Sequence, residues 1–379
     1  MTTACLAPNG MNVYRGNAAS TRLLVGTAKG VVALERAPGR DWSLAGTALD
    51  GPHISSMLID PIRGGVYAGV HKGGVFFSPD QGRSWEERSE GIRVKHVFSL
   101  GCAVEDGQPV IFAGTEPVSA FRSSDEGRNW EECPNLRDME GKEKWMFPMP
   151  PHIAHAKTIA VDPRDPKTIY IGVEQGGLFK TRDGGNSWRE LDSYSKPEDE
   201  AYRDIHQIVL RPNHPDEVFL TSGNGLYRSR DGGENWDQLT QRGSFRIGYP
   251  DKLIFSPSDD RTMYICGSLG NPGTWIRLHT ANATVMVSRD LGESWTIVSK
   301  GLPEPMTANL EAMCMYAWPG GFELFGGTTD GAVYISDDGA ESWRHIAGNL
   351  APVSKVEHFR LLLPGAVSSR GKRPTQAPA

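Results

Sequence analysis

His53 and His155 each stand seven residues ahead of an Asp-Pro pair, Asp60-Pro61 and Asp162-Pro163. His206, and more loosely His96, fall two residues later in the same frame. Side chains two apart on a strand face the same way, so these four imidazoles are expected to share one facing. Imidazoles converging from separate strands can hold a divalent metal, and Zn, Mn and Fe all suit that ligand type. His53, His96, His155 and His206 are therefore the candidate metal ligands. Carboxylates accompany them. His71, Glu116 and Glu174 end the equivalent triplets Gly69-Val-His71, Gly114-Thr-Glu116 and Gly172-Val-Glu174, with Asn224 and Thr329 in the same register. Asp204, Glu311 and Glu357 stand near expected strand starts. A histidine beside a carboxylate supports general acid–base work on a polar substrate, which makes Glu116, Glu174, His206 and Asp204 the candidate catalytic groups. A third reading is that all these residues hydrogen-bond loops and water around a polar opening.

The elements that must position them are repeats. The phrase Ser/Thr-x-Asp-x-Gly-x-x-Trp recurs around Asp80, Asp125, Asp183, Asp231, Asp290 and Asp338, at intervals of 45, 58, 48, 59 and 48 residues. Each copy follows an apolar strand such as Gly74-Val-Phe-Phe77 and precedes a strand that begins at the Trp, so it reads as a hairpin turn. The Asp accepts bonds from nearby N–H groups. The Gly supplies positive φ, and the Trp is expected to pack between neighbouring sheets. The sixth copy has Ala340 in place of Gly and Gly339 one residue earlier, which predicts a shifted turn. One four-stranded unit per period predicts an all-β fold, a β-propeller.

This phrase is the Asp box, or BNR repeat, and the chain resembles the BNR/Asp-box propeller families over nearly its whole length. That group includes sialidases, xyloglucan-active glycosidases, sortilin-like receptors and a photosystem assembly factor. The resemblance implies the propeller fold; function has to be read elsewhere, because the box is a turn device. Sialidases carry an arginine triad, a Tyr–Glu pair, an Asp acid and an early Arg-Ile-Pro motif. The nearest match here, Arg246-Ile247-Gly248, lacks the Pro and lies in mid-chain, so sialidase activity is not implied. Other glycosidases of the group place two carboxylates across a cleft, for which Glu116, Glu174, Asp204 and Glu311 are available. The assembly-factor-like members imply the alternative, a non-catalytic propeller that binds a ligand or a protein.

A seventh, decayed unit opens the chain: Leu23-Leu-Val-Gly26, Gly30-Val-Val-Ala-Leu34 and Gly39-Arg-Asp-Trp42 keep two strands and the end of a box without its Asp. Its innermost strand is missing, and residues 356–363 are expected to supply it, closing a seven-bladed ring without exposed edges. The division expected is a lead-in at 1–20, one propeller over 21–364 and a disordered tail over 365–379. In a four-stranded blade alternate hairpins lie at opposite ends. The box turns mark one end; the long insertions, 136–152, 192–204, 240–250 and 267–284, all fall at the other, where eight of the ten histidines also lie, His358 among them. Long loops on one rim of a rigid scaffold are where binding concentrates. His71, Trp145, Arg246, Tyr249, Trp275 and Glu311 are the candidate substrate contacts there. The aromatic residues of these loops, with Phe147 and Phe245, serve equally as a platform for a ring or as pins for the loops.

The net charge of −6 and the lack of a basic run before the last dozen residues give no case for nucleic acid. No stretch is long and apolar enough to span a bilayer, and residues 1–20 lack a secretory pattern. Five cysteines without motif spacing fit a reducing compartment, which predicts a cytoplasmic protein. No convincing Gly-rich phosphate loop occurs, so no nucleotide is implied. The expectation is a hydrolase- or lyase-type enzyme for a small polar or carbohydrate-like substrate, with a divalent metal as the candidate cofactor and a protein partner as a further option.

Overall fold

The computed structural model describes residues 2–147, 152–191, 203–240, 244–355, 360 and 362. Seven sheets form seven blades. Their innermost strands are Thr3–Leu6, Ile54–Ile59, Val97–Glu105, His155–Asp162, Ile205–Arg211, Tyr249–Phe255 and Leu310–Trp318. Each packs on the innermost strand of the next blade, and the last packs on the first. In blades two to seven the strands outward from the innermost one run antiparallel in sequence order. The central strands are buried runs such as Met263–Ser268, whereas outer strands such as Glu86–Glu87 are short, polar and exposed. That gradient is what a core between wedge-shaped blades requires.

The six repeated phrases all make one turn. In the second blade Ser78 Oγ donates to Asp80 Oδ1 at 2.8 Å, and Arg83 N and Ser84 N donate to the same oxygen. Ser84 Oγ donates to Asp80 Oδ2, and Gly82 N donates back to Ser78 Oγ. The glycine takes φ of 82° there and 97° at Gly233, and points its missing Cβ at the preceding blade: a Cβ on Gly233 would lie 2.7 Å from Leu191 Cδ1. The sixth turn is not shifted. Ala340 N donates to Ser336 Oγ as the glycines do, and Ala340 itself takes φ of 68°. Left-handed backbone costs a non-glycine residue about 1–2 kcal/mol, which the other bonds of the turn outweigh. Trp130 and Trp343 bridge blades as expected, donating their indole N–H to Arg88 O and Val298 O of the blade before. The turns share their end with the loops between first and second strands, as bonds such as Gly232 N to Asp216 O show.

The ring closes where the C-terminal blade pairs with an N-terminal strand, Val13–Arg15, which lies parallel to Leu310–Trp318. The innermost strand of the first blade differs from the expected one. It is Thr3–Leu6, parallel to Arg22–Thr27; residues 356–363, expected in that place, lie almost wholly outside the described residues, as do Glu357, His358 and the 365–379 tail. Residues 3–15, expected to lead into the propeller, are instead built into it. They rise beside the first blade, add Asn9–Gly10 to the second and descend beside the seventh. Asn9 Nδ2 also donates to Phe98 O of the third blade and Asn12 Nδ2 to Leu253 O of the sixth. The segment thus fills the centre of the ring. Pairing from inside satisfies its backbone without side-chain alternation, so strands this short left no periodic signal.

Candidate functional site

One irregularity recurs in the innermost strands. Blades two to seven each skip one residue in pairing with the second strand, at Ser55, Phe98, Lys157, His206, Asp251 and Glu311. A bulge re-aims the extra side chain. Two residues before it, in the same blades, stand His53, His96, His155, Asp204, Tyr249 and Asn309. Opposite them, at the ends of second strands, are His71, Glu116 and Glu174 in blades two to four. The glycine two residues before each of these three lets the next blade approach: a Cβ on Gly172 would lie 2.4 Å from Ile205 Cγ2. His53, His96 and His155 are therefore equivalent, and His206 matches Lys157 rather than His96. In the fifth blade the equivalent of Glu174 is Gly223, one residue before Asn224, and a Cβ there would lie 2.2 Å from Asp204 Oδ2.

Together these positions make a polar circuit around the channel mouth, at the end opposite the repeated turns. His53 Nε2 lies 2.7 Å from Ser354 O, and its ring is 5.7 Å from that of His71, which is 5.0 Å from His96. His96 Nδ1 lies 3.4 Å from Glu116 Oε1, and His155 Nδ1 lies 3.3 Å from Glu116 Oε2. His155 Nε2 donates to Glu174 Oε2 at 2.6 Å, and Lys157 Nζ donates to Glu174 Oε1. Across the ring Lys355 Nζ pairs with Asp251 at 2.6 Å, and Asn309 Nδ2 donates to the other oxygen of Asp251. Glu311 accepts from Ser354 Oγ and Lys355 N, which returns the circuit to Ser354.

Each ring nitrogen of His155 faces a carboxylate, Nε2 in a hydrogen bond to Glu174 and Nδ1 3.3 Å from Glu116 without hydrogen-bond geometry. Burial opposes its protonation, but Glu116 and Glu174 outweigh burial and hold its pKa above the usual imidazole range. Burial would raise Glu174, yet Lys157 and His155 hold it well below the carboxylate range. His206 is the opposite case. Its Nδ1 lies 2.6 Å from Pro250 O and, a carbonyl being only an acceptor, must carry the proton. Burial, helped by the charge on Lys157, pushes its pKa down. The neutral ring then presents a lone pair at Nε2, which is buried without a hydrogen bond and lies 3.5 Å from Asp204 Oδ1. One ligand atom from each of Glu174, Asp204 and His206 lies within 4.8 Å of the others, the single such group among the described residues. A lone pair facing two carboxylates is unfavourable unless a proton or a metal cation stands between them. Two oxygens and an imidazole nitrogen suit Zn, Mn or Fe, and the Nδ1–H bond to a carbonyl is the orienting contact that metal-bound histidines make.

The sequence-predicted residues thus meet in part. Glu174, Asp204 and His206 converge; His155 and Glu116 adjoin them; His53, His71 and His96 form a separate row between blades two and three. The four histidines do not gather on one point, because three belong to the set before the bulge and one to the bulge itself. Glu311 is buried and held by Ser354 and Lys355. Tyr249 sits over His206 at 4.3 Å with its hydroxyl 3.4 Å from Asp204. Trp275 is fully buried, donates to Gly270 O and packs edge-on against Tyr249, so it pins its loop. Phe245 likewise packs on Trp295, and Phe147 lies 5.0 Å from His155. Trp145 packs on Phe179, and Arg246 is exposed with its guanidinium on the carbonyl of Phe245. Of the loops expected around the mouth, 148–151, 192–202 and 241–243 lie outside the described residues. Sequence reasoning missed Lys157, Asp251, Asn309 and Lys355. For Lys157 and Asp251 the signal was a charged residue inside an otherwise apolar inner strand; Asn309 stands one residue before such a strand and Lys355 lies beyond the last one.

Residues 178–310 match the family model described as Sortilin, neurotensin receptor 3. The oligoxyloglucan-reducing end-specific xyloglucanase of Emericella nidulans is 24% identical over 200 residues, which are 50% of this chain and 24% of that protein. An ancestral GH74 enzyme superposes with a TM-score of 0.62 at 18% identity, over 88% of this chain and 41% of that one. YCF48 from Cyanidioschyzon merolae superposes with a TM-score of 0.52 at 13% identity, over 78% of this chain and 86% of that one. The chain therefore spans less than half the length of the xyloglucanase and of the GH74 enzyme, and shares its fold with divergent propellers.

Proposed function

We propose that this chain is a metal-dependent enzyme of hydrolase or lyase type that acts on a small polar or carbohydrate-like substrate at the channel mouth. The observation that carries the reading is His206 Nε2, an unpaired buried nitrogen turned toward Glu174 and Asp204. A divalent cation held there would supply Lewis acidity and a bound water of lowered pKa. Glu174 would be steadied by His155 and Lys157, and His206 by Pro250. The repeated turns support a place in the BNR/Asp-box group. Five free cysteines, four of them buried, support a cytoplasmic setting. No described helix is long and apolar enough to cross a membrane.

Metal analysis of protein purified without a histidine tag tests the centre. About one equivalent of Zn, Mn or Fe is expected, falling below roughly a tenth in His206→Ala. Wild-type protein that neither carries nor takes up metal would falsify the reading. Turnover of a glycoside and uronide panel, lost on chelation and restored by metal, is the expected companion result.

A second reading, a propeller that binds without catalysis, has its own support. Burial would raise Glu116, Glu174 and Asp251, but neighbouring cations and imidazoles hold all three below the usual carboxylate range. None of these three is kept protonated to act as a general acid, which a two-carboxylate glycosidase needs. Metal uptake with no turnover of any panel member would favour this reading.

A further inference from the structure

Beside the circuit, a cavity of about 520 Å³ opens between the connections that enter and leave the third blade. Its floor is apolar: Val118, Phe121 and Ala154 are buried, and Trp145 stands in its wall with the indole fixed against Phe179. The charges above the floor are not balanced. Glu132 and Asp138 are both engaged, Glu132 by Ser119 Oγ and Arg137, Asp138 by Arg137 and Lys142. That leaves Arg93, an exposed guanidinium that lines the same cavity and makes no ion pair or side-chain hydrogen bond among the described residues. Two backbone steps join this cavity to the circuit. Pro117 lines it while Glu116 faces His96 and His155, and Ala154 lines it while His155 reaches Glu174.

We infer that this cavity binds an organic carboxylate borne on a ring, with the carboxylate on Arg93 and the ring over Val118, Phe121 and Trp145. The volume is within the range of small-ligand sites. A planar guanidinium with free N–H groups above an apolar floor recognises a carboxylate through paired charge-assisted bonds. The neutral counterpart of such a ligand would leave Arg93 without that partner. Placing this cavity as the subsite for the substrate of the neighbouring centre, and hence a sugar acid as that substrate, rests on the enzyme reading above. The recognition of the carboxylate does not.

The test is calorimetric titration of the full chain at low salt with two matched pairs, glucuronate against glucose and benzoate against benzyl alcohol. The carboxylate of at least one pair is expected to bind roughly tenfold more tightly than its neutral partner. Arg93→Gln should abolish that preference, Arg93→Lys should restore part of it, and Arg83→Gln, in a distant turn, should leave it unchanged. Equal binding within both pairs, or a preference that survives Arg93→Gln, overturns the inference. Arg93 is exposed, so its variants should fold as wild type does. Repeating the titration after chelation separates the two ideas: the proposed metal ligands do not line the cavity, so carboxylate binding should persist whether or not metal is held.

Discussion

The two ends of this propeller use repetition in opposite ways. At the turn end one backbone device occurs six times with nearly the same side chains, and each does the same work for its own blade. At the mouth end another backbone device, the bulge in the innermost strand, also occurs six times, but it presents Ser55, Phe98, Lys157, His206, Asp251 and Glu311. Same geometry with the same residues marks a structural part. Same geometry with six different residues marks positions whose side chains serve something other than the backbone that carries them.

The sharpest way to test that contrast is to remove one charge at the mouth. Glu174→Gln leaves the His155 imidazolium and the Lys157 ammonium buried without their shared partner. Breaking such an arrangement is expected to cost about 3 kcal/mol in urea unfolding. A loss near zero would mean that the circuit is not a linked electrostatic unit. A turn aspartate should cost less, because its partners can turn to water. Asp231→Ala is expected to lose about 1–2 kcal/mol.

The turns also set a pH signature. Slight burial would raise the Asp231 carboxyl, but bonds from Asn235 and Ser229 lower it to about 2. A carboxyl whose folded pKa lies below its unfolded one contributes stability above the unfolded value, and that contribution is lost as pH falls through the folded value. Wild type should therefore weaken as pH falls from about 4 to about 2, and Asp231→Ala should weaken less over that window. The smallest effect is expected at the one irregular turn. Ala340→Gly relieves a left-handed alanine but removes a fully buried methyl and frees the unfolded chain, so the net change is expected to stay within about 0.5 kcal/mol of zero.

The fold was largely legible because its signals are local. The six turns, the apolar strands between them and the decayed first unit, Leu23 to Trp42, all carry their own patterns. The site was legible only where the alternation of two held. His53 and His155 hold equivalent places two residues before the bulge, and His71, Glu116 and Glu174 equivalent ends of second strands, as the sequence frame predicts. His206 stands two residues beyond the His155 position, as the sequence frame places it, whereas His96, read with the same offset, is equivalent to His53 and His155. The strand at Thr3–Leu6 was missed because parallel pairing inside the ring needs neither a hairpin nor alternation.

The segment from Ala7 to Asn12 has one more consequence. It lies directly beneath Lys157 and His206, leaving room for about one water between, and Lys252 Nζ reaches Asn9 from the wall. A ring of blades suggests a tunnel, but among the described residues this segment floors its centre.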